Sequence, residues 1–330
     1  MKKIVLLLLL SASLFSCVSV KTKNIRENIL TLKDSYCKAP FKYHYNKTLP
    51  SYNADSILLA NKELKNYFTD QSILILNALT SIDEVNEILE LKKDNSIEAQ
   101  LEILHLRSEI DNKVTIALTE LDAVAAEFDC EGERVGQIAS YVDDLNERRM
   151  NRLVIYSIII GGAASIASGT IKNDKAGSAV DIGAGVAGAA LGFLTLKPKS
   201  EKVEFIHKRN LLRDIWNEKL EAENFPPFVW YMYTQERFFS NSGTLSIIKN
   251  IKDKWLQFNF HNDLEEANAS ILFNDGGIYK ADDLHNRTSM LNQMQSATRT
   301  INQNVNYLLL DLDKFINTPS KNETLHNLKK

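Results

Sequence analysis

The sequence predicts an all-α fold: an elongated helical bundle of long heptad-patterned helices, with a central apolar, glycine-rich helical hairpin and one candidate small β-hairpin. Three observations predict it. Only six prolines occur in 330 residues, and none lies between Pro50 and Pro198 or between Pro227 and Pro319. An interior proline costs a helix about 3 kcal/mol, so these tracts leave long helices unbroken. Apolar residues recur at steps of three and four along them, the period of a helix face. Finally, eight of the thirteen glycines fall between Gly161 and Gly192, inside an almost uncharged stretch.

Composition sets the outer bounds. With 44% hydrophobic and 25% charged residues the chain has the balance of a folded protein rather than a disordered one. Its 39 Lys and Arg against 42 Asp and Glu give a net charge of −3. That excludes a generally basic, phosphate-binding surface, so nucleic acid is not an expected partner.

Residues 1–16 read as an export signal. Lys2 and Lys3 form a positive start, and Ile4 to Leu10 an apolar run too short to span a bilayer as a helix. Leu14-Phe15-Ser16-Cys17 then resembles the lipobox of bacterial lipoproteins, with Phe15 where a small residue is more usual. The resemblance implies a diacylglycerol on Cys17 and a place in the bacterial cell envelope, anchored to the outer membrane on its periplasmic or surface face. The plain alternative is an ordinary secretory signal with Cys17 a passive thiol. Cys37 and Cys130 remain. In an oxidising compartment they can pair, and on the chain-entropy model that bridge is worth about 4–5 kcal/mol. Two unpaired buried thiols are the other reading.

Residues 17–53 read as a lipidated tether and loop, and 54–152 as N-terminal helices. Asp55 to Phe68 is one candidate helix. Asp70 is placed to cap a second running to about Lys93, and Asn95 with Glu98 a third. The third carries the stripe Ile110, Val114, Ala117, Leu121, Val124 and Phe128. It resumes as Val135, Ile138, Val142 and Leu145 past Gly132 and Gly136, which are expected to loosen it. In the C-terminal region, 197–330, Glu201 to Glu223 reads as helix. Phe228 to Phe239 and Thr244 to Phe258 are further candidates. Asn274-Asp275-Gly276-Gly277 is a turn signal between short strands around Ile271 and Ile278. The last helix has the clearest repeat. Leu284, Leu291, Thr298, Val305 and Leu312 are seven apart, as are Arg287, Met294, Ile301, Leu308 and Phe315. They make a seam about 48 Å long, matching the third helix, against which it is expected to lie. The aromatic run Phe228-Val229-Trp230-Tyr231-Met232-Tyr233 is expected in the core.

Residues 153–196 form the expected membrane segment. Leu153 to Thr170 carries no charge, and Ala176 to Leu196 carries only Asp181. As helices these are about 27 and 31 Å long, close to the 30 Å of a bilayer core. Gly161, Ser165 and Gly169 line one face of the first arm, and Ala184, Gly188 and Gly192 one face of the second. Small residues at this spacing let two helices approach closely. Arg148, Arg149 and Arg152 flank one end and Lys197 and Lys199 the other, where headgroup phosphates lie. The competing reading packs the hairpin inside the bundle. Gly183-Ala184-Gly185-Val186-Ala187-Gly188 also fits a dinucleotide-binding turn, but Pro198 cuts the following helix short and no strand–helix series continues.

No nucleophile, acid–base pair or metal-ligand spacing stands out. The six histidines form no close pair, and no G-x-S-x-G occurs. Neither catalysis, a metal nor a cofactor is expected. The order of parts resembles α-helical pore-forming toxins of the cytolysin-A and haemolysin-B type, which also set an apolar hairpin between long helices. The functional expectation is a non-catalytic, lipid-anchored envelope protein whose hairpin enters or perturbs a bilayer, alone or with a second copy or another envelope protein. The alternative is a periplasmic or cell-surface helical scaffold with the hairpin packed internally.

Overall fold

The computed structural model describes Cys37 and residues 50–170, 200–219, 221–237 and 245–318, with backbone only for residues 157 and 160–170. Among these residues the fold is all-α apart from one small two-stranded antiparallel sheet. The chain divides into two compact units, and the division falls within one long helix, after Ala139. The expected export signal, Cys17 and most of the expected tether lie outside the described residues.

The larger unit takes in Cys37–Ala139, His207–Gly276 and the chain from Asp282. It opens with α1 (Ala54–Ala60), where Asn53 Oδ1 accepts from the Ser56 amide at 2.9 Å. A 3-10 turn over Leu64–Asn66 replaces the rest of the expected helix to Phe68. The helix expected over Asp70 to Lys93 is two, α2 (Asp70–Ala78) and α3 (Ile82–Leu91). Thr69, not Asp70, is the cap, its hydroxyl accepting from Ser72 N at 3.1 Å. The break is at Thr80, whose φ of 52° is left-handed while Ser81 N donates back to Leu76 O at 2.8 Å. That bond closes a helix end of the Schellman type.

The long helix α4 runs from Ile97 to Thr170 without interruption. Ser96, not Asn95, caps it: its Oγ accepts from Ala99 N at 3.1 Å. Gly132 and Gly136 do not loosen the helix. They lie against the last helix, α9 (Ala281–Asn317), and a Cβ on Gly132 would come 2.8 Å from Asn292 Oδ1. Within the larger unit α4 and α9 run antiparallel: Arg107 pairs with Asp313 at 3.3 Å, and Asn302 donates to Asp122 at 2.8 Å. All ten seam positions of α9 are buried, none more than 2% exposed. The facing stripe from Ile110 to Phe128 is buried with them. Burying each large aliphatic side chain is worth about 1.5–3 kcal/mol, so this contact carries much of the core.

Two seam residues are polar, and each finds hydrogen-bond partners. Thr298 donates to Met294 O at 2.7 Å and its hydroxyl also meets that of Tyr233. Arg287 donates to Asn210 Oδ1 and to Leu272 O, at 3.2 and 2.9 Å. Lys92 seals the end of α9. Its ammonium donates to the carbonyls of Phe315, Ile316 and Thr318 at 2.5, 3.0 and 2.7 Å.

The helix expected over Glu201 to Glu223 is instead a strand, β1 (Val203–Ile206), and a short helix, α5 (Leu211–Asn217). Val203 and Phe205 point inward and Glu204 and Ile206 outward, a period of two. Asn210 starts α5 by accepting from Leu212 N at 3.2 Å. Pro227 then opens α6 (Pro227–Thr234) from the first-turn position that suits proline. Its aromatic run is buried on every side. Phe225 stacks on Trp230 at 5.2 Å and lies 6.1 Å from Phe128 of α4. Next come α7 (Ile247–Asn259), capped by Ser246, and α8 (Leu264–Ala269). The expected strand around Ile271 is a 3-10 turn, and the partner of β1 is β2 (Gly276–Tyr279).

The smaller unit contains Ser140–Ile206 and Gly277–Ala281. Phe205 and Tyr279 pack edge to face across its two strands at 5.8 Å, and both are buried. The disulfide expected between Cys37 and Cys130 is present in the larger unit, with Cα atoms 5.5 Å apart.

Candidate functional site

In the smaller unit the buried stripe of α4 ends. Val142 is its last fully buried residue and Leu145 is half-buried. Beyond Arg152 come Val154, Ile155, Tyr156, Ile158 and Ile159, exposed by 44, 54, 41, 67 and 58%. Successive helix residues turn by about 100°, so these five positions cover somewhat more than half of the helix circumference. A surface helix ordinarily hides one apolar stripe and shows a polar face to water. Here the broad face formed by these five residues is apolar and exposed.

The predicted cations divide into two roles. Arg148 and Arg152 are exposed just before this face. Arg149 is half-buried and pairs with Glu201 Oε1 at 3.2 Å, while Asn146 Oδ1 accepts from the Glu201 amide at 2.7 Å. Arg149 therefore fastens the segment leading into β1 to the helix, a use its neighbourhood in the sequence does not announce. Gly161, Ser165 and Gly169 continue α4, described as backbone. Ala184, Gly188, Gly192, Lys197 and Lys199 lie outside the described residues, as does the whole second arm. Among the described residues no helix is long and apolar enough to cross a membrane.

The larger unit holds a buried polar network that sequence reading missed. Arg209 grips Glu127 of α4 and Asn224, and Asn224 donates to Asp214 Oδ2 at 2.6 Å. Burial raises the Asp214 pKa. Asn210 donates to Leu272 O and Asn274 O at 2.9 and 2.7 Å. Nearby His207 is 5% exposed, and burial with the Arg287 guanidinium pushes its pKa down to about 2. It is therefore a neutral imidazole at physiological pH. These groups join α4, α5, α9 and the turn before β2. No signal in spacing could have found them, because the bonded residues lie from 10 to 82 positions apart with no repeat among them. Among the described residues no group of three or more His, Cys, Asp or Glu is placed to hold a metal ion.

Comparison with protein-family models, curated proteins and solved structures finds no match to this chain.

Proposed function

We propose that this protein is a non-catalytic, lipid-anchored envelope protein whose apolar hairpin over residues 153–196 inserts into or perturbs a membrane. The observation that carries the reading is the exposed apolar face from Val154 to Ile159 beside Arg148 and Arg152. A broad exposed apolar face on a helix is costly in water and favourable in hydrocarbon. Cations at its edge suit the phosphates of a headgroup layer. The lipobox-like Leu14 to Cys17 supplies the anchor in this reading, and the disulfide suits an oxidising compartment. The layout resemblance to pore-forming toxins fits the same role. A scaffold with its hairpin packed internally is the rival, and the exposed face counts against it.

The test is dye release from liposomes by the lipid-free chain, paired with limited proteolysis. Leakage, with protease protection of residues 153–196 only when liposomes are present, is the expected result. Protection that is the same with and without membranes, and no leakage, overturns the proposal.

A further inference from the structure

A groove of about 830 Å³ lies between α7 and α9 in the larger unit. Helix register sets its chemistry. On α7, Asn250, Lys254 and Phe258 are four apart and share one edge. On α9, Ser289, Asn292, Gln293 and Ser296 recur at steps of three and four along the other. Ile251 and Trp255 form a floor that is 7% and 0% exposed. Seven lining side chains are carboxamides or hydroxyls, none is a carboxylate, and Lys254 and His285 are the basic groups.

Part of this lining is held in place by the protein itself. Gln293 Oε1 accepts from Trp255 Nε1 at 3.0 Å, and its Nε2 donates to Ser289 Oγ at 3.4 Å. Asn250 Oδ1 is buried and accepts no hydrogen bond from the protein, so it is an acceptor in want of a donor. Phe258 is 70% exposed at the rim.

Carboxamides and hydroxyls both donate and accept hydrogen bonds, and so do the hydroxyls of a sugar. A sugar ring also has an apolar C–H face suited to an exposed aromatic ring. We propose that this groove binds an oligosaccharide. Phe258 takes an apolar sugar face, Asn250, Asn292 and Gln293 pair with hydroxyls, and Lys254 favours a sugar bearing a carboxylate. A polyphosphate backbone would need several cations along its path. An apolar peptide would need an exposed apolar floor, whereas Ile251 and Trp255 are covered. This inference stands apart from the membrane proposal and uses different residues.

Isothermal titration of the full chain with cellohexaose, xylohexaose, chitohexaose and hexagalacturonate tests it. At least one should bind with Kd below about 1 mM, and Phe258→Ala or the groove-filling Ser289→Trp should weaken that binding by about tenfold or more. Lys254→Ala should weaken hexagalacturonate more than cellohexaose. Both lead positions are exposed, so unchanged circular dichroism is expected in each variant. The proposal is overturned if no saccharide binds, or if neither replacement weakens binding.

Discussion

Arg209 and Glu127 meet as a two-pronged ion pair, with Arg209 Nε and Nη2 donating to the two carboxylate oxygens at 2.6 and 2.9 Å. The same guanidinium donates to the Asn224 side chain and carbonyl at 2.8 and 2.9 Å. One cation thus fastens α4 to the chain on both sides of α5. Removing one partner of a buried pair leaves the other charge uncompensated, at a cost of about 3–5 kcal/mol. Arg209→Ala should lower the unfolding free energy by about 3 kcal/mol in urea titrations. Arg209→Met combined with Glu127→Leu should recover most of that loss. A single variant with the parent midpoint would mean that the pair contributes nothing.

The two glycines of α4 should respond differently to alanine. A Cβ on Gly136 would meet Thr288 Cγ2 at 3.7 Å, an ordinary contact. Gly136→Ala should therefore stabilise the protein by about 0.5–1 kcal/mol through reduced unfolded-state freedom. At Gly132 the Asn292 side chain has to swing aside, which offsets the same gain. The check is the difference between their thermal midpoints, with Gly136→Ala expected to be the higher. Equal or reversed midpoints would contradict the close approach at Gly132.

Acid should weaken the fold through His207. Its folded pKa is about 2, below the ordinary value of 6.5, so between these limits the unfolded chain binds the extra proton. Stability from this residue is complete above the unfolded pKa and is lost as pH falls beneath it. The loss between pH 7.5 and pH 5 is about 2 kcal/mol. Asp214 acts in the opposite sense, because burial raises its folded pKa and protonation then favours the native state. Urea titrations of His207→Asn across this range should show a flatter pH dependence than the parent. An unchanged slope would assign the acid sensitivity elsewhere.

Reduction of the disulfide should lower stability with the fold otherwise retained. Cys37 and Cys130 are separated by 93 residues, and cross-linking a loop of that length is worth about 4–5 kcal/mol on the chain-entropy model. Melting with and without a phosphine reductant measures it directly. Cys37→Ser with Cys130→Ser should melt at the reduced temperature whether reductant is present or not. Identical midpoints for the oxidised and reduced parent would refute the contribution.

The last helix was legible because its signal is redundant. Ten positions repeat at seven, and no single residue decides the reading. The strand at Val203 was not, because four residues fit several periods and its partner, β2, is remote in sequence. The continuity of α4 through Gly132 and Gly136 was hidden for a related reason. Glycine costs a helix about 1 kcal/mol locally, and the compensating contacts come from α9. The break at Thr80 escaped notice because threonine rarely takes a left-handed conformation. In the candidate site the apolar run was plain, whereas the exposure of Val154 to Tyr156, Ile158 and Ile159 was not, since hydropathy carries no record of what covers a helix. The Arg209–Glu127 pair joins residues 82 apart and left no local trace.

Lys92 and Asp311 give the larger unit a clasp. Lys92 seals the carbonyls at the end of α9, and Asp311 Oδ2 accepts from Thr69 N at 3.1 Å and Ser72 Oγ at 2.7 Å, at the start of α2. A ribosome makes the two halves of this clasp more than 220 residues apart. The early helices must therefore wait, with their greasy sides unsheltered, until α9 has been made. A message cut short before Asp311 would yield a product that never shuts, and quality-control proteases would be expected to clear it.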